Sequence, residues 1–355
     1  MAALAAPLMP RDRRPCRSTL PASYAPQMTR FPTVRVAAIQ ATPVILDADA
    51  TVDKVGRLLD EAAADGVQLA VFPETFVPLY PSNAWASPAA AFEGWNDFWE
   101  RMWDNAVDVP GPLTDRIARK CAELGIHCAI GVNERESHRP GSLYNTLLVF
   151  GPHGLLTKHR KLMPTMHERL FHGVGAGTDL AIADTPIGRL GGLICWENMM
   201  PLARYALYRG GPQIWLAPTA DDSDAWLVSM RHIATESRAY VVSAPQYIPA
   251  NAFPDDFPVP LPDGLEVFGR GGAAIIEPDD GRVIAGPLYG EEGIVVADCD
   301  LRVALHAKRW FDVVGHYSRE DALARLILEP GLDGDPAAAR AGSDHSAPVD
   351  SRRET

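Results

Sequence analysis

Three short segments set reactive side chains directly after apolar runs. In Phe72-Pro73-Glu74-Thr75-Phe76-Val77-Pro78, Glu74 ends a run from Val67 to Phe72 that reads as a fully buried strand. Removing water from a carboxylate disfavours its charged form and raises its proton affinity toward the range of a general base. Lys158-His159-Arg160-Lys161-Leu162-Met163-Pro164 offers a lysine that can fix positive charge where negative charge develops. Gly191-Gly192-Leu193-Ile194-Cys195-Trp196-Glu197-Asn198 sets Cys195 at a strand end, just ahead of a helix with Pro201 in its first turn. Strand-to-helix turns of this kind expose nucleophiles in hydrolases. A helix N-terminus and a lysine nearby are expected to lower the thiol pKa and supply thiolate. Each segment also has a plainer reading: a capping or ion-paired glutamate, a solvated basic face, a buried strand cysteine.

The elements needed to position these residues follow from apolar periodicity. Val34 to Gln40 is a short apolar run suited to a buried strand, and Val52, Val55, Leu59 and Ala62 line one face of a helix. Further strands are expected at Val67 to Phe72, His127 to Val132, Tyr144 to Phe150, Leu190 to Cys195, Gln213 to Ala217 and Tyr240 to Ala244. Helices are expected at Leu113 to Leu124, Pro201 to Arg209 and Ala225 to Arg238. Gly151-Pro152-His153-Gly154 and Glu277-Pro278-Asp279-Asp280-Gly281 read as hairpin turns. Strands alternating with helices predict a mixed α/β sheet whose strand ends carry the site. Trp95, Trp99 and Trp103, with Trp85 before them, fall four apart on one helical face, as core packing or as a pocket wall or subunit contact.

Composition narrows the class. The 355 residues are 47% hydrophobic and 22% charged, and 33 basic residues against 45 acidic ones give a formal charge of −12. That balance disfavours a nucleic-acid binder, which needs a basic surface to displace phosphate counterions. The longest apolar runs are too short to cross a bilayer. Five cysteines without a C-x-x-C pair disfavour a metal site or a disulfide framework, and reduced thiols suit a cytoplasmic protein. His167 and His172 lie five apart on a loop and fix no metal geometry. Residues 1–30 carry five arginines against Asp12 alone, and the apolar stretch precedes the basic one, the wrong order for a secretory signal. An organelle transit peptide, a floppy extension and a start called ahead of Met28 are the alternatives. Residues 330–355, rich in Ala, Asp, Gly and Pro, are expected to be disordered, as are residues 1–30.

Taken together, the order Glu74, Lys161, Cys195 with its surrounding residues resembles the nitrilase superfamily of carbon–nitrogen hydrolases, over about Val34 to Ser318. Cys195-Trp196-Glu197-Asn198 followed by Pro201-Leu202-Ala203-Arg204-Tyr205 is similar to the signature of the nitrilase branch. So are Lys161-Leu162-Met163-Pro164-Thr165, Ala217-Pro218-Thr219-Ala220-Asp221 and His316-Tyr317-Ser318-Arg319. The resemblance implies a four-layer α-β-β-α sandwich over residues 31–329. It makes Glu74 the general base, Lys161 the charge stabiliser, Cys195 the nucleophile and Glu168 an assisting glutamate, with the Trp196 backbone N–H as a donor to substrate. After Glu168-Arg169-Leu170 the branch commonly continues aromatic-Gly-x-Gly-Asp-Gly, with Trp as the aromatic. Here His172 replaces that Trp and Ala176 the Asp, and His172 is expected at the substrate.

The implied reaction is hydrolysis of an organic nitrile to carboxylic acid and ammonia, with no metal or organic cofactor. An amide-releasing hydratase, an amidase or carbamoylase on the same scaffold, and a non-catalytic subunit are the rival readings. The resemblance further implies a homo-oligomer built from dimers, extending to spiral filaments.

Overall fold

Two sheets, each half covered by helices, account for nearly all of the apolar periodicity. The structure, a computed structural model, describes residues 31–91, 94–138 and 140–328, so the expectations for residues 1–30 and 330–355 fall outside it. The first sheet contains β1 (Thr33–Gln40), β2 (Leu69–Val71), β3 (His127–Arg135), β4 (Leu143–Gly151) and β5 (Gly154–Arg160). The second contains β6 (Ala183–Thr185), β7 (Gly188–Gly192), β8 (Ile214–Thr219), β9 (Tyr240–Pro245), β10 (Tyr247–Pro249), β11 (Val267–Ile276) and β12 (Val283–Tyr289). β13 (Gly293–Asp300) returns to the first sheet, antiparallel to β1 from Thr33↔Asp300 to Gln40↔Gly293. The strand orders are β13-β1-β2-β3-β4-β5 and β10-β11-β9-β8-β7-β6, with β12 paired to β11.

The helices are α1 (Ala48–Ala64), α2 (Asn83–Ala91), α3 (Trp95–Asp104), α4 (Pro112–Leu124), α5 (Pro201–Tyr208), α6 (Asp224–Ser237), α7 (Leu301–Trp310) and α8 (Glu320–Leu328). Asp47 caps α1 by accepting from Ala50 N–H at 2.9 Å, and the stripe Val52, Val55, Leu59 and Ala62 is buried. That stripe packs with Ile117 and Cys121 of α4 on Ala37, Ile39, Ala70, Phe72 and Ile130. On the other sheet, Leu207 of α5 and Met230 and Ile233 of α6 pack on Trp215, Ala217 and Val241. Between the sheets Val36, Ala38, Val71, Leu147 and Val149 meet Leu190, Ile194, Leu216, Val242 and Ile275. The result is the α-β-β-α sandwich.

A side cluster gathers the tryptophans. Trp85 is buried against Phe253 and Phe268, Trp99 stacks on Trp103 at 5.5 Å, and Trp95 meets Phe171 at 5.0 Å between ring centroids. They pack the flank of the loop that carries Glu168 and His172.

The basic run Lys158 to Lys161 is not one solvated face. Successive strand residues point to opposite sides, so β5 divides it. Lys158 and Arg160 pair with buried Glu134 at 2.8 and 2.6 Å, while His159, opposite Leu147, faces the second sheet.

Candidate active site

Glu74, Lys161, Glu168 and Cys195 converge where strands end and loops begin. Glu74 follows β2, Lys161 follows β5, and Cys195 opens the 3-10 turn Cys195–Met199 three residues beyond the end of β7. Cys195 has φ +50 and Thr75, just after Glu74, φ +39. Both are left-handed conformations that cost a non-glycine residue of order 1–3 kcal/mol and gather at functional turns.

The four side chains are almost wholly enclosed. Lys161 Nζ donates to Glu74 Oε1 at 2.6 Å and to Glu168 Oε2 at 2.7 Å. Asn145 Nδ2 also bridges the carboxylates, donating to Glu74 Oε1 at 2.7 Å and Glu168 Oε1 at 2.8 Å. Glu168 Oε2 further accepts from Thr165 N–H at 2.7 Å and from the Tyr80 hydroxyl at 3.3 Å. Among the described residues Glu74 Oε2 accepts only from the Ala220 backbone N–H, at 2.9 Å. That same N–H reaches the Cys195 sulfur, which also accepts from Thr219 Oγ1–H at 3.2 Å. The base and the thiol thus meet at Ala220.

Burial raises the Glu74 pKa, as its strand-end position predicts; Lys161 opposes the shift and the charge of Glu168 adds to it. Burial alone would lower the Lys161 pKa, but Glu74 and Glu168 outweigh that and hold the ammonium firmly protonated. Burial likewise opposes ionisation of Glu168, yet Lys161 and then His172 drive its pKa well below the usual carboxylate range. The expected low thiol pKa is not what this environment gives. Cys195 is buried, and burial followed by the charge of Glu74 pushes its pKa well up. The resting group is a thiol, so its proton must leave as the sulfur attacks.

His172 and Trp196 differ in setting. The His172 ring is buried, with Nδ1 3.1 Å from Glu168 Oε1 and Nε2 against Asn133 Oδ1. Trp196 is 47% exposed, and its indole N–H donates to Asp221 Oδ2 at 2.7 Å. Its backbone N–H lies in the first turn after Ile194, where a helical turn leaves its amides without internal partners.

Residues the sequence did not single out support the site. Asn133 and Asn145 face each other across β3 and β4, and Asn145 and Tyr80 bind the carboxylates. A buried polar residue in an otherwise apolar strand was the signal for Asn145. Glu197 ties the two halves together. Its Oε1 accepts from Leu162 N–H at 2.6 Å and its Oε2 from Ile194 N–H at 2.7 Å, so it fixes the neighbours of both Lys161 and Cys195. His159 bridges Glu197 and Asp179, with contacts of 3.1 Å on each side. Among the described residues no group of three or more His, Cys, Asp or Glu is arranged to hold a metal ion.

Burial would lower the His159 pKa, but Asp179 and Glu197 raise it from 6.5 to about 9. The stability this gives is fully present below pH 6.5 and is lost as the pH rises through about 9. Unfolding midpoints measured across that range should fall more steeply for the wild type than for His159→Gln. Parallel slopes would refute the bridge.

Gly131 of β3 lets the Glu74 turn lie on the sheet. A Cβ there would stand 2.3 Å from Thr75 N and 2.6 Å from Glu74 Cα, both backbone atoms. Gly131→Ala is expected to displace Glu74 and lower kcat roughly a hundred-fold. Steady-state kinetics on the folded variant checks this; an unchanged kcat would show that the turn has room to spare.

A buried carboxylate–ammonium–thiol cluster at the strand ends of an α-β-β-α sandwich defines a class of hydrolase, and the comparisons agree. The carbon–nitrogen hydrolase family matches residues 35–309, and the chain belongs to that family. The chain is 45% identical to the aliphatic nitrilase of Sinorhizobium fredii (strain HH103), over 85% of this chain and 97% of that one. It is 43% identical to a bifunctional nitrilase/nitrile hydratase of Lupinus angustifolius, over 84% and 87%. These relatives place it in the nitrilase branch. In fold it is similar to Nit3 of Saccharomyces cerevisiae, a branch 10 member of the nitrilase superfamily, at TM-score 0.64 and 18% identity, over 81% and 97% of the two chains.

Proposed function

We propose that the chain hydrolyses an organic nitrile to the carboxylic acid and ammonia, with Cys195 as nucleophile, Glu74 as general base and Lys161 as charge stabiliser. The observation that carries this reading is the meeting of Glu74 and Cys195 at the Ala220 N–H, with Lys161 bonded to Glu74 on the opposite oxygen. The relatives' nitrilase names support the substrate class.

The steps follow from the protonation states. Glu74 takes the thiol proton while sulfur adds to the nitrile carbon, and the proton passes to nitrogen to give a thioimidate. Glu74 next takes a proton from water as its oxygen adds to that carbon, giving a tetrahedral adduct. Protonated Glu74 returns that proton to the nitrogen, then relays the adduct's hydroxyl proton to the same nitrogen as the C–N bond breaks, so ammonia leaves and a thioester remains. A second water, activated in the same way, releases the acid and restores the thiol. Lys161 and the Trp196 backbone N–H stabilise the charge that develops. Glu168, whose oxygens are both engaged by several donors, holds Lys161 in place rather than moving protons.

Product identification tests the proposal. Aliphatic and aryl nitriles should yield acid and ammonia in equal amounts. Amide alone would overturn the acid-forming reading, and turnover of amides but no nitriles would overturn nitrile chemistry altogether.

The proposal extends to a cytoplasmic homo-oligomer. Leu202 on α5 and Val228 on α6, 61% and 65% exposed, offer apolar surface for a second copy. Cys121, Cys128, Cys195 and Cys299 are free thiols. Among the described residues no helix is long and apolar enough to cross a membrane.

A further inference from the structure

We propose that His172 is held as a buried imidazolium, a positioning residue that completes the charge balance of the Glu74–Lys161–Glu168 cluster. The argument begins with Asn133. Both hydrogens of its amide nitrogen are committed to carbonyl oxygens, of Val77 at 3.2 Å and of Leu79 at 2.9 Å. Rotating the amide would set oxygen against two carbonyl oxygens, so these contacts fix its orientation. The oxygen that faces His172 Nε2 is therefore an acceptor. The other ring nitrogen, Nδ1, faces Glu168 Oε1 at 3.1 Å. Glu168 is an acceptor too, because Lys161, Asn145 and the Thr165 N–H all donate to it. A neutral imidazole has one donor and one bare nitrogen, and here the bare nitrogen would meet an oxygen lone pair. Two acceptors require two N–H donors.

Charge leads to the same assignment. Two carboxylates and one ammonium, all shut away from water, leave one negative charge uncompensated, which a dry interior penalises. A second cation removes it and lets Glu74 stay ionised beside Glu168.

The surroundings hold the ring still. Phe171 packs on Trp95 and on Phe98, the latter at 5.2 Å, and the Gly173 N–H donates to Leu143 O at 2.8 Å. The polar groups facing His172 are Glu168 from its own turn and Asn133 from β3, while Leu143 of β4 meets it through the backbone. Beyond Glu168 lie Lys161, Glu74 and Tyr80. The ring therefore acts on the reaction through Glu168 and Glu74, without touching substrate.

The kinetic half of this inference rests on Glu74 being the general base; the protonation half does not. Nitrogen-15 spectra of the resting wild-type protein, with the His172 signals assigned by their loss in His172→Gln, should show both ring nitrogens as N–H near neutral pH. One bare nitrogen would overturn the proposal whatever the enzyme turns over. In His172→Gln, loss of the cation should make Glu74 harder to ionise. The acid limb of the kcat/KM profile should move to higher pH by about half a unit or more, with kcat lowered about ten-fold and KM nearly unchanged. A lower kcat with the acid limb in place would reduce His172 to packing and overturn the charge-balancing role. If the wild type turns over no nitrile, the nitrile reading fails while the resting spectrum still decides the state of His172.

Discussion

Cys195→Ala is expected to abolish ammonia release from nitriles, with kcat falling on the order of a million-fold, the scale seen when a covalent nucleophile is removed. The sulfur accepts from the Thr219 hydroxyl and lies at the Ala220 N–H, which also donates to the Glu74 oxygen that Lys161 does not bond. Folding should hardly change. Alanine keeps the same backbone conformation and removes one buried atom, so urea unfolding should shift by about 1 kcal/mol. Loss of activity in a folded variant separates chemistry from structure. Residual activity above about one part in a thousand would call for a second nucleophile.

Lys161→Met is expected to damage both activity and stability. Met matches the length of the lysine stem but carries no charge, so Glu74 and Glu168 would confront each other across a dry site. Breaking a buried ion pair from one side typically costs about 3–5 kcal/mol, and loss of a donor to developing charge a further hundred- to thousand-fold in rate. The pH dependence identifies the cause. In the wild type the Glu168 pKa is depressed, so its contribution is present above the usual carboxylate value of 4.5 and is lost as the pH falls through the folded-state value. In the variant the carboxylates bind protons more tightly when folded, so acidification stabilises it. The gap in unfolding free energy should therefore narrow from neutral toward mildly acidic pH. A constant gap would mean that packing, not charge, is what Lys161 supplies.

How much of this was legible in the sequence depended on whether a residue's role was local. Glu74 and Cys195 were visible because each follows an apolar strand and precedes a turn, a pattern carried by a handful of neighbours. The helix stripe Val52, Val55, Leu59 and Ala62 was legible for the same reason, through a period that matches its buried face. β13 was not anticipated, since its partner β1 lies at the far end of the domain and the pairing leaves no local mark. For the basic run a solvated face stayed open as the plainer reading, because its division depends on which face of β5 meets the second sheet. The low thiol pKa was expected from a helix terminus and a lysine, but burial depth outweighs both. Asn133 and Asn145 gain their meaning only from the β3–β4 register that sets them opposite each other.

The central claim is that the reaction runs through a covalent bond to Cys195. The direct measurement is rapid acid quench of the enzyme during nitrile turnover, followed by intact-mass analysis and peptide mapping. The account predicts an adduct of the mass of the thioimidate or the thioester on the peptide containing Cys195, formed and lost at rates that match ammonia release and absent from Cys195→Ala. An adduct on another residue, or undiminished ammonia release from Cys195→Ala, would contradict it.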